Sequence, residues 1–95
     1  MHVISRKRLK EAAAKHADLE GPLDAWFRIA RRASWKNLGD IRKTFSSADA
    51  VDEWTVFNIK GNQYRLIAEI NYDGSRVYVR HVLTHAEYDR GGWKQ

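Results

Sequence analysis

The chain has no cysteine, a single proline (Pro22) and no uninterrupted apolar run longer than four residues. Each absence removes a class of protein. Without cysteine there is no disulfide framework, no thiolate zinc site, no iron–sulfur cluster and no thiol nucleophile. Without roughly 20 consecutive apolar residues there is no membrane-spanning helix. The basic residues between Met1 and Lys10 have no apolar segment behind them, so this stretch does not read as a secretory signal. Glu11, Asp18 and Glu20 follow closely, which argues against an organelle transit peptide. Glycine-rich phosphate loops, a G-x-S-x-G nucleophile elbow and recognisably spaced paired carboxylates are also missing.

What is present is a basic chain with enough apolar surface for a core. Its 95 residues carry 17 Lys+Arg against 12 Asp+Glu, a net charge of +5, and 43% are apolar, including four Trp, four Tyr and three Phe. That length fits one domain, residues 1–95. The composition argues against disorder. A basic, cysteine-free domain with no targeting segment is expected in the cytoplasm, with a polyanion, nucleic acid first, as partner.

The first half reads as helix. Ser5 is placed to cap a helix from about Arg6 to His16, with Leu9, Ala12, Ala13 and His16 at helical spacing. Gly21-Pro22 then punctuates the chain, and proline suits a first helical turn. Leu23, Trp26, Phe27, Ala30 and Ala33 form an apolar stripe, with Arg28, Arg31 and Arg32 outside it as candidate contacts for a protein or RNA partner. A short third helix is expected around Leu38 to Phe45. Trp26 and Phe27 look committed to a core, which leaves a helix-turn-helix role for these helices little support.

After Ser46-Ser47 the period changes to two. Trp54–Lys60, Gln63–Tyr72 and Ser75–Leu83 alternate, separated by Gly61-Asn62 and Asp73-Gly74, pairs that favour tight hairpins. The expected fold is α+β: two to three N-terminal helices on a three-stranded antiparallel sheet, then a short C-terminal helix. The register implied by the two loops places Phe57, Ile59, Tyr64, Leu66, Ala68, Ile70, Val77, Val79 and Leu83 on the core face, with His81 facing the core at the sheet's end. The other face collects Asn58, Lys60, Arg65, Asn71, Arg76, Tyr78 and Arg80, with Trp54, Val56 and Ile67 among them. Such a face can hold a phosphodiester chain and stack a base. On pattern alone it fits somewhat better the solvated face that antiparallel sheets commonly carry.

Thr84-His85-Ala86-Glu87 is a capping box, so a short helix is expected to begin directly after the third strand. His85 and Tyr88, three apart, then face the same side of its first turn. An imidazole, a phenol and nearby cations are what metal-free RNA cleavage needs: a proton acceptor for the 2′-OH, a proton donor for the leaving 5′-oxygen, and fixed positive charge. An isolated histidine after a strand has structural roles as well. His81 and His85 straddle a strand end and a cap without a carboxylate at ligand spacing, so no metal or other cofactor is expected. Gly91-Gly92 and the tail Trp93-Lys94-Gln95 read as a frayed end.

Three stretches carry a family resemblance: Asn58-Ile59-Lys60-Gly61-Asn62-Gln63-Tyr64-Arg65-Leu66, Ile70-Asn71-Tyr72 and Thr84-His85-Ala86-Glu87-Tyr88-Asp89. In this order and spacing they resemble the HigB toxins, RelE-like ribonucleases of type II toxin–antitoxin pairs. The likeness extends upstream through Val3-Ile4-Ser5-Arg6-Lys7 and from Trp35-Lys36-Asn37 to Asp40-Ile41. It implies a microbial-ribonuclease-like domain that cleaves mRNA without a metal, usually in the A site of the 70S ribosome. It also implies a HigA-type helix-turn-helix antitoxin, with operator DNA met only through that partner, and no membrane. Residue by residue, the resemblance makes His85, Tyr88, Arg80, Arg65 and Lys60 catalytic candidates, with His85 and Tyr88 interchangeable as base and acid. Asn58, Asn71, Arg76, Tyr78 and Asp89 are RNA-binding candidates. This chain departs from the pattern at His81, where an apolar residue is usual, at Leu83, where glycine is common, and after Arg90. A non-catalytic RNA- or ribosome-binding module and a purely protein-binding regulator are the competing classes.

Overall fold

A computed structural model describes residues 1–94. Strand β1 (His2–Ile4) leads into α1 (Arg6–Lys15), a 3₁₀ turn at Ala17–Leu19, α2 (Glu20–Arg32) and α3 (Leu38–Thr44). Strands β2 (Asp49–Val51), β3 (Trp54–Ile59), β4 (Tyr64–Asn71) and β5 (Arg76–Thr84) follow, then α4 (His85–Arg90) and a second 3₁₀ turn at Gly92–Lys94. Ser5 caps α1 by accepting from the Lys7 amide at 3.0 Å, and Asn37 caps α3 by accepting from the Asp40 amide at 2.9 Å. Helix α2 starts at Glu20, ahead of Pro22, which lies within its first turn.

The fold is α+β as expected, but the sheet is five-stranded and mixed, in the order β1-β5-β4-β3-β2, rather than three-stranded and antiparallel. The two additional strands have three residues each, too short to show a period in sequence. β1 runs parallel to β5, pairing Val3 with Val77, and β2 forms a hairpin with β3 through Asp52 in the left-handed region. The Met1 ammonium donates to the carbonyls of Ala30, Arg31 and Ala33 at 3.1, 3.1 and 2.6 Å. This places positive charge at the C-terminus of α2, where the helix dipole favours it.

The β3–β4 register is the expected one, Phe57 opposite Leu66 and Thr55 opposite Ala68. Its turn is carried by Lys60 and Gly61, both in the left-handed region, and the β4–β5 turn by Ser75. Between β4 and β5 the expected register holds only part-way. Ile70 meets Val77 and Ala68 meets Val79, but Ile67 meets His81, so Arg80 is an extra, unpaired residue. This β-bulge inverts every later side chain on β5. Leu66 therefore opposes Val82 rather than His81. Val82 joins the core beneath the helices, while His81 and Leu83 turn to the opposite face.

The main core packs Leu9, Leu19, Leu23, Trp26 and Ala30 from the helical half against Phe57, Leu66, Ala68, Val77 and Val79. Trp26 meets Phe57 edge-on at 5.4 Å between ring centroids. The opposite face is not simply solvated. Val56, Ile67 and Trp93 form a second buried cluster there, edged by Trp54, Leu83 and Tyr88. Trp93 is 6% exposed, which overturns the frayed-end expectation for Trp93 and Lys94: the chain folds back and plugs the sheet. Gln95 lies outside the described residues.

Candidate active site

The site is built where the end of β5, the start of α4 and the β3–β4 turn converge. Thr84 caps α4 by accepting from the Glu87 amide at 3.2 Å, and Glu87 accepts from the Thr84 amide at 2.9 Å. That second bond, with the positive charges of Lys15 and Arg90, holds the Glu87 carboxyl below its ordinary value. Gly91, left-handed at φ 74°, ends the helix. The His85 amide donates to the Gln63 carbonyl at 3.0 Å, tying α4 to the turn between β3 and β4.

Arg65 organises this corner. It is 8% exposed, and its guanidinium donates to the Asn62 carbonyl at 3.1 Å, the Tyr64 carbonyl at 3.2 Å and Asn62 Oδ1 at 2.6 Å. Its Nη2 also lies 3.2 Å from His85 Nδ1. A guanidinium has only donors, so in this contact Nδ1 carries the lone pair and the neutral ring carries its hydrogen on Nε2. Nε2 in turn faces Asp89 Oδ2 at 2.9 Å. The imidazole is thus fixed at both nitrogens while remaining exposed to solvent. The Arg65 guanidinium also lies 5.4 Å from the Tyr88 ring centroid, and Tyr88 stacks on Trp93 at 5.2 Å and 14°. Trp93 Nε1 donates to the Tyr88 carbonyl at 3.0 Å. Asn62, Arg65, His85, Tyr88 and Asp89 therefore form one connected unit, with Trp93 behind it.

Among the described residues, the other candidates make no hydrogen bond with this unit's side chains. Lys60 pairs with Asp18 at 2.8 Å, and Tyr64 donates to the same carboxylate at 3.1 Å. These bonds hold the Asp18 carboxyl below its usual range and push the Lys60 ammonium up. Arg80 donates to Glu69 at 2.9 Å and lies 5.1 Å from the Tyr78 ring centroid. Asn58 sits opposite Arg65. Asn71 accepts from the Gly74 amide at 2.9 Å and, with Arg76 opposite, belongs to the far hairpin. The four cations assigned to one face are dispersed: Arg65 is internal, Lys60 and Arg80 are paired, and Arg76 is remote.

Three contributors were not singled out from sequence as site residues. Asn62 read only as a turn residue, although a turn amide three residues before an arginine on a strand is placed to bond it. Trp93 carried no signal, because nothing local shows that a tail tryptophan returns to a sheet. Asp18 lies in the 3₁₀ turn between α1 and α2, outside both helical stripes. No group of three His, Asp or Glu suited to a metal ion occurs among the described residues.

Residues 19–91 match the HigB toxin family, the RelE-like toxic component of a toxin–antitoxin system. The mRNA interferase toxin HigB of Escherichia coli is 34% identical over 92 residues, spanning 94% of this chain and 88% of that protein. The mRNA interferase HigB of Shigella flexneri gives the same figures, 34% over 92 residues, 94% and 88%. The mRNA interferase HigB of a uropathogenic Escherichia coli strain is 31% identical over 93 residues, 95% of this chain and 90% of that protein. With a family match over most of its length and relatives covered nearly end to end, the chain belongs to the HigB toxins, the RelE-like toxic component of a toxin–antitoxin system.

Proposed function

We propose that the protein is a metal-independent mRNA endoribonuclease that acts in the ribosomal A site, halts translation in the cytoplasm and is neutralised by a HigA-type helix-turn-helix antitoxin. The observation that carries this reading is the exposed imidazole of His85, held between Arg65 and Asp89. It fits the names of the relatives. In this reading the substrate phosphate displaces Asp89 from Nε2. His85 then donates from Nε2 to a non-bridging oxygen as charge develops in the transition state. The freed Asp89 carboxylate takes the proton of the 2′-OH as that oxygen attacks phosphorus. Tyr88, which shares Arg65 with His85, gives its proton to the departing 5′-oxygen. The products are a 2′,3′-cyclic phosphate and a 5′-hydroxyl. Arg65 acts as a positioning residue that sets the imidazole tautomer. Lys60 exchanges Asp18 for an RNA phosphate, and Arg80, Asn58 and Tyr78 flank the strand.

The test is primer-extension mapping of mRNA ends in a translating extract, with and without an initiation inhibitor. Wild type is expected to make new ends only during translation, and His85→Ala and Asp89→Asn to lose cleavage by about 10²–10⁴-fold while remaining folded. His85→Gln, which keeps a donor and an acceptor but transfers no proton, is expected to retain part of the activity. A Gln variant as inactive as Ala would return the base role to His85. No new ends from folded wild type, with ribosome association retained, would identify a binding module instead of an enzyme.

A further inference from the structure

Strand β1 pairs with β5 only at Arg76, Val77 and Tyr78. Beyond Tyr78, no strand among the described residues lies beside the outer edge of β5, which faces α1 across a groove of about 210 Å³. One wall is the α1 face carrying Arg8, Glu11 and Lys15, at i, i+3 and i+7; the other runs from Arg80 to Leu83. A second hollow of about 350 Å³ continues it toward the start of α1, sharing Arg8, Glu11 and Arg80 and adding Lys7. At its other end Leu83 leads through Thr84 to His85, and Lys15 is near enough to Glu87 to lower that carboxyl's pKa. The groove thus ends at Leu83, two residues before His85.

Its lining carries more cations than carboxylates. At its centre Arg8, Lys15 and Arg80 meet one carboxylate, Glu11. Glu69 takes the Nε of Arg80 and, among the described residues, the terminal amino groups of that guanidinium have no hydrogen-bond partner. His81, half-buried in the groove, is held below its ordinary value by burial first and then by the charges of Arg8 and Arg80. The part of that shift due to Arg8 and Arg80 reports positive potential, which favours phosphate.

We propose that this groove between α1 and the unpaired half of β5 holds the phosphodiester backbone of the RNA whose scissile phosphate lies at His85, with Arg8, Lys15 and Arg80 as phosphate contacts. The proposal rests on the ribonuclease reading for its direction, and its test is binding rather than cleavage. The probe is a fluorescent single-stranded RNA made uncleavable by 2′-deoxy substitution, titrated by anisotropy across a salt series. Arg8→Glu/Lys15→Glu is expected to weaken binding about tenfold at low salt and to reduce the log–log salt slope by about 1.4, roughly 0.7 per lost phosphate contact. Lys43→Glu, on α3, is the control expected to bind as wild type. If circular dichroism shows the charge-reversed variant unfolded, Arg8→Gln/Lys15→Gln carries the test with the same loss of slope. A folded variant with wild-type affinity and slope overturns the proposal, and does so decisively if it has lost affinity for an acidic protein partner. The ribonuclease reading fails by a different result, the absence of new mRNA ends from wild type.

Discussion

At the scale of single residues, two titratable groups that sequence treats alike have opposite surroundings. His85 is exposed and held at both ring nitrogens, by Arg65 and Asp89. His81 is half-buried, edge-on to Trp54 at 6.4 Å, and its pKa is lowered by burial and by the charges of Arg8 and Arg80. A histidine with a depressed folded pKa contributes stability that is fully present above its unfolded value, 6.5, and is lost as pH falls through the folded value. Wild type is therefore expected to lose thermal stability on acidification below about pH 6.5. His81→Gln is expected to flatten that limb, and an unchanged slope in the variant would remove His81 as its source. Sequence identified both histidines and located His85 correctly beside a capping box. It misjudged His81, because the face of a strand residue depends on every residue before it in the ladder.

At the scale of elements, the Arg80 bulge explains that error and also shapes the site. One extra residue on β5 sends Val82 into the helical core and Leu83 into the cluster with Ile67 and Trp93. An alternating pattern remains alternating after a bulge, only inverted, so neither the bulge nor its position is legible in sequence. The capping box was legible because its signal spans only four residues and its hydrogen bonds are local. The strands β1 and β2 were not, since three residues cannot establish a period. Trp93 is the long-range counterpart: it supports α4 through the Tyr88 stack and the bond to the Tyr88 carbonyl, from a segment with no pattern of its own. Trp93→Ala is expected to cost about 3 kcal/mol in chemical unfolding, as for other buried aromatics. Cleavage by the folded variant is expected to fall as well, because Tyr88 and Arg65 lose their backing. Trp93→Phe keeps a ring against Tyr88 and should recover most of the activity. An active Trp93→Ala enzyme with lowered stability would show that the tail stabilises the fold without positioning the site.

At the scale of the whole molecule, the sheet separates two sets of residues that sequence placed on one face. The molecule spans 31 × 25 × 22 Å. Strand β5 runs from Arg76 to Thr84, about 25 Å at the usual rise, so Asn71 and Arg76 sit nearly a molecular length from His85. Asn71 is engaged at its own turn, where its Oδ1 accepts from Gly74 and its side chain fills the space a Cβ on Gly74 would need. Its evident work is local, and Arg76 lies in the stretch of β5 that pairs with β1. Asn71→Ala is accordingly expected to lower stability by about 1 kcal/mol, the ordinary worth of one hydrogen bond. Arg76→Ala is expected to leave stability nearly unchanged. Both variants should cleave within about threefold of wild type when assayed well below their unfolding temperatures, whereas a His85→Ala change should cost at least about a hundredfold. The decisive comparison is kcat and KM for all three on one mRNA. A raised KM with unchanged kcat in Arg76→Ala would extend the RNA footprint along the full length of β5 without adding a catalytic group. A loss of kcat matching that of His85→Ala would mean that chemistry needs both ends of the sheet, and the compact unit around Arg65 would then be only part of the active site.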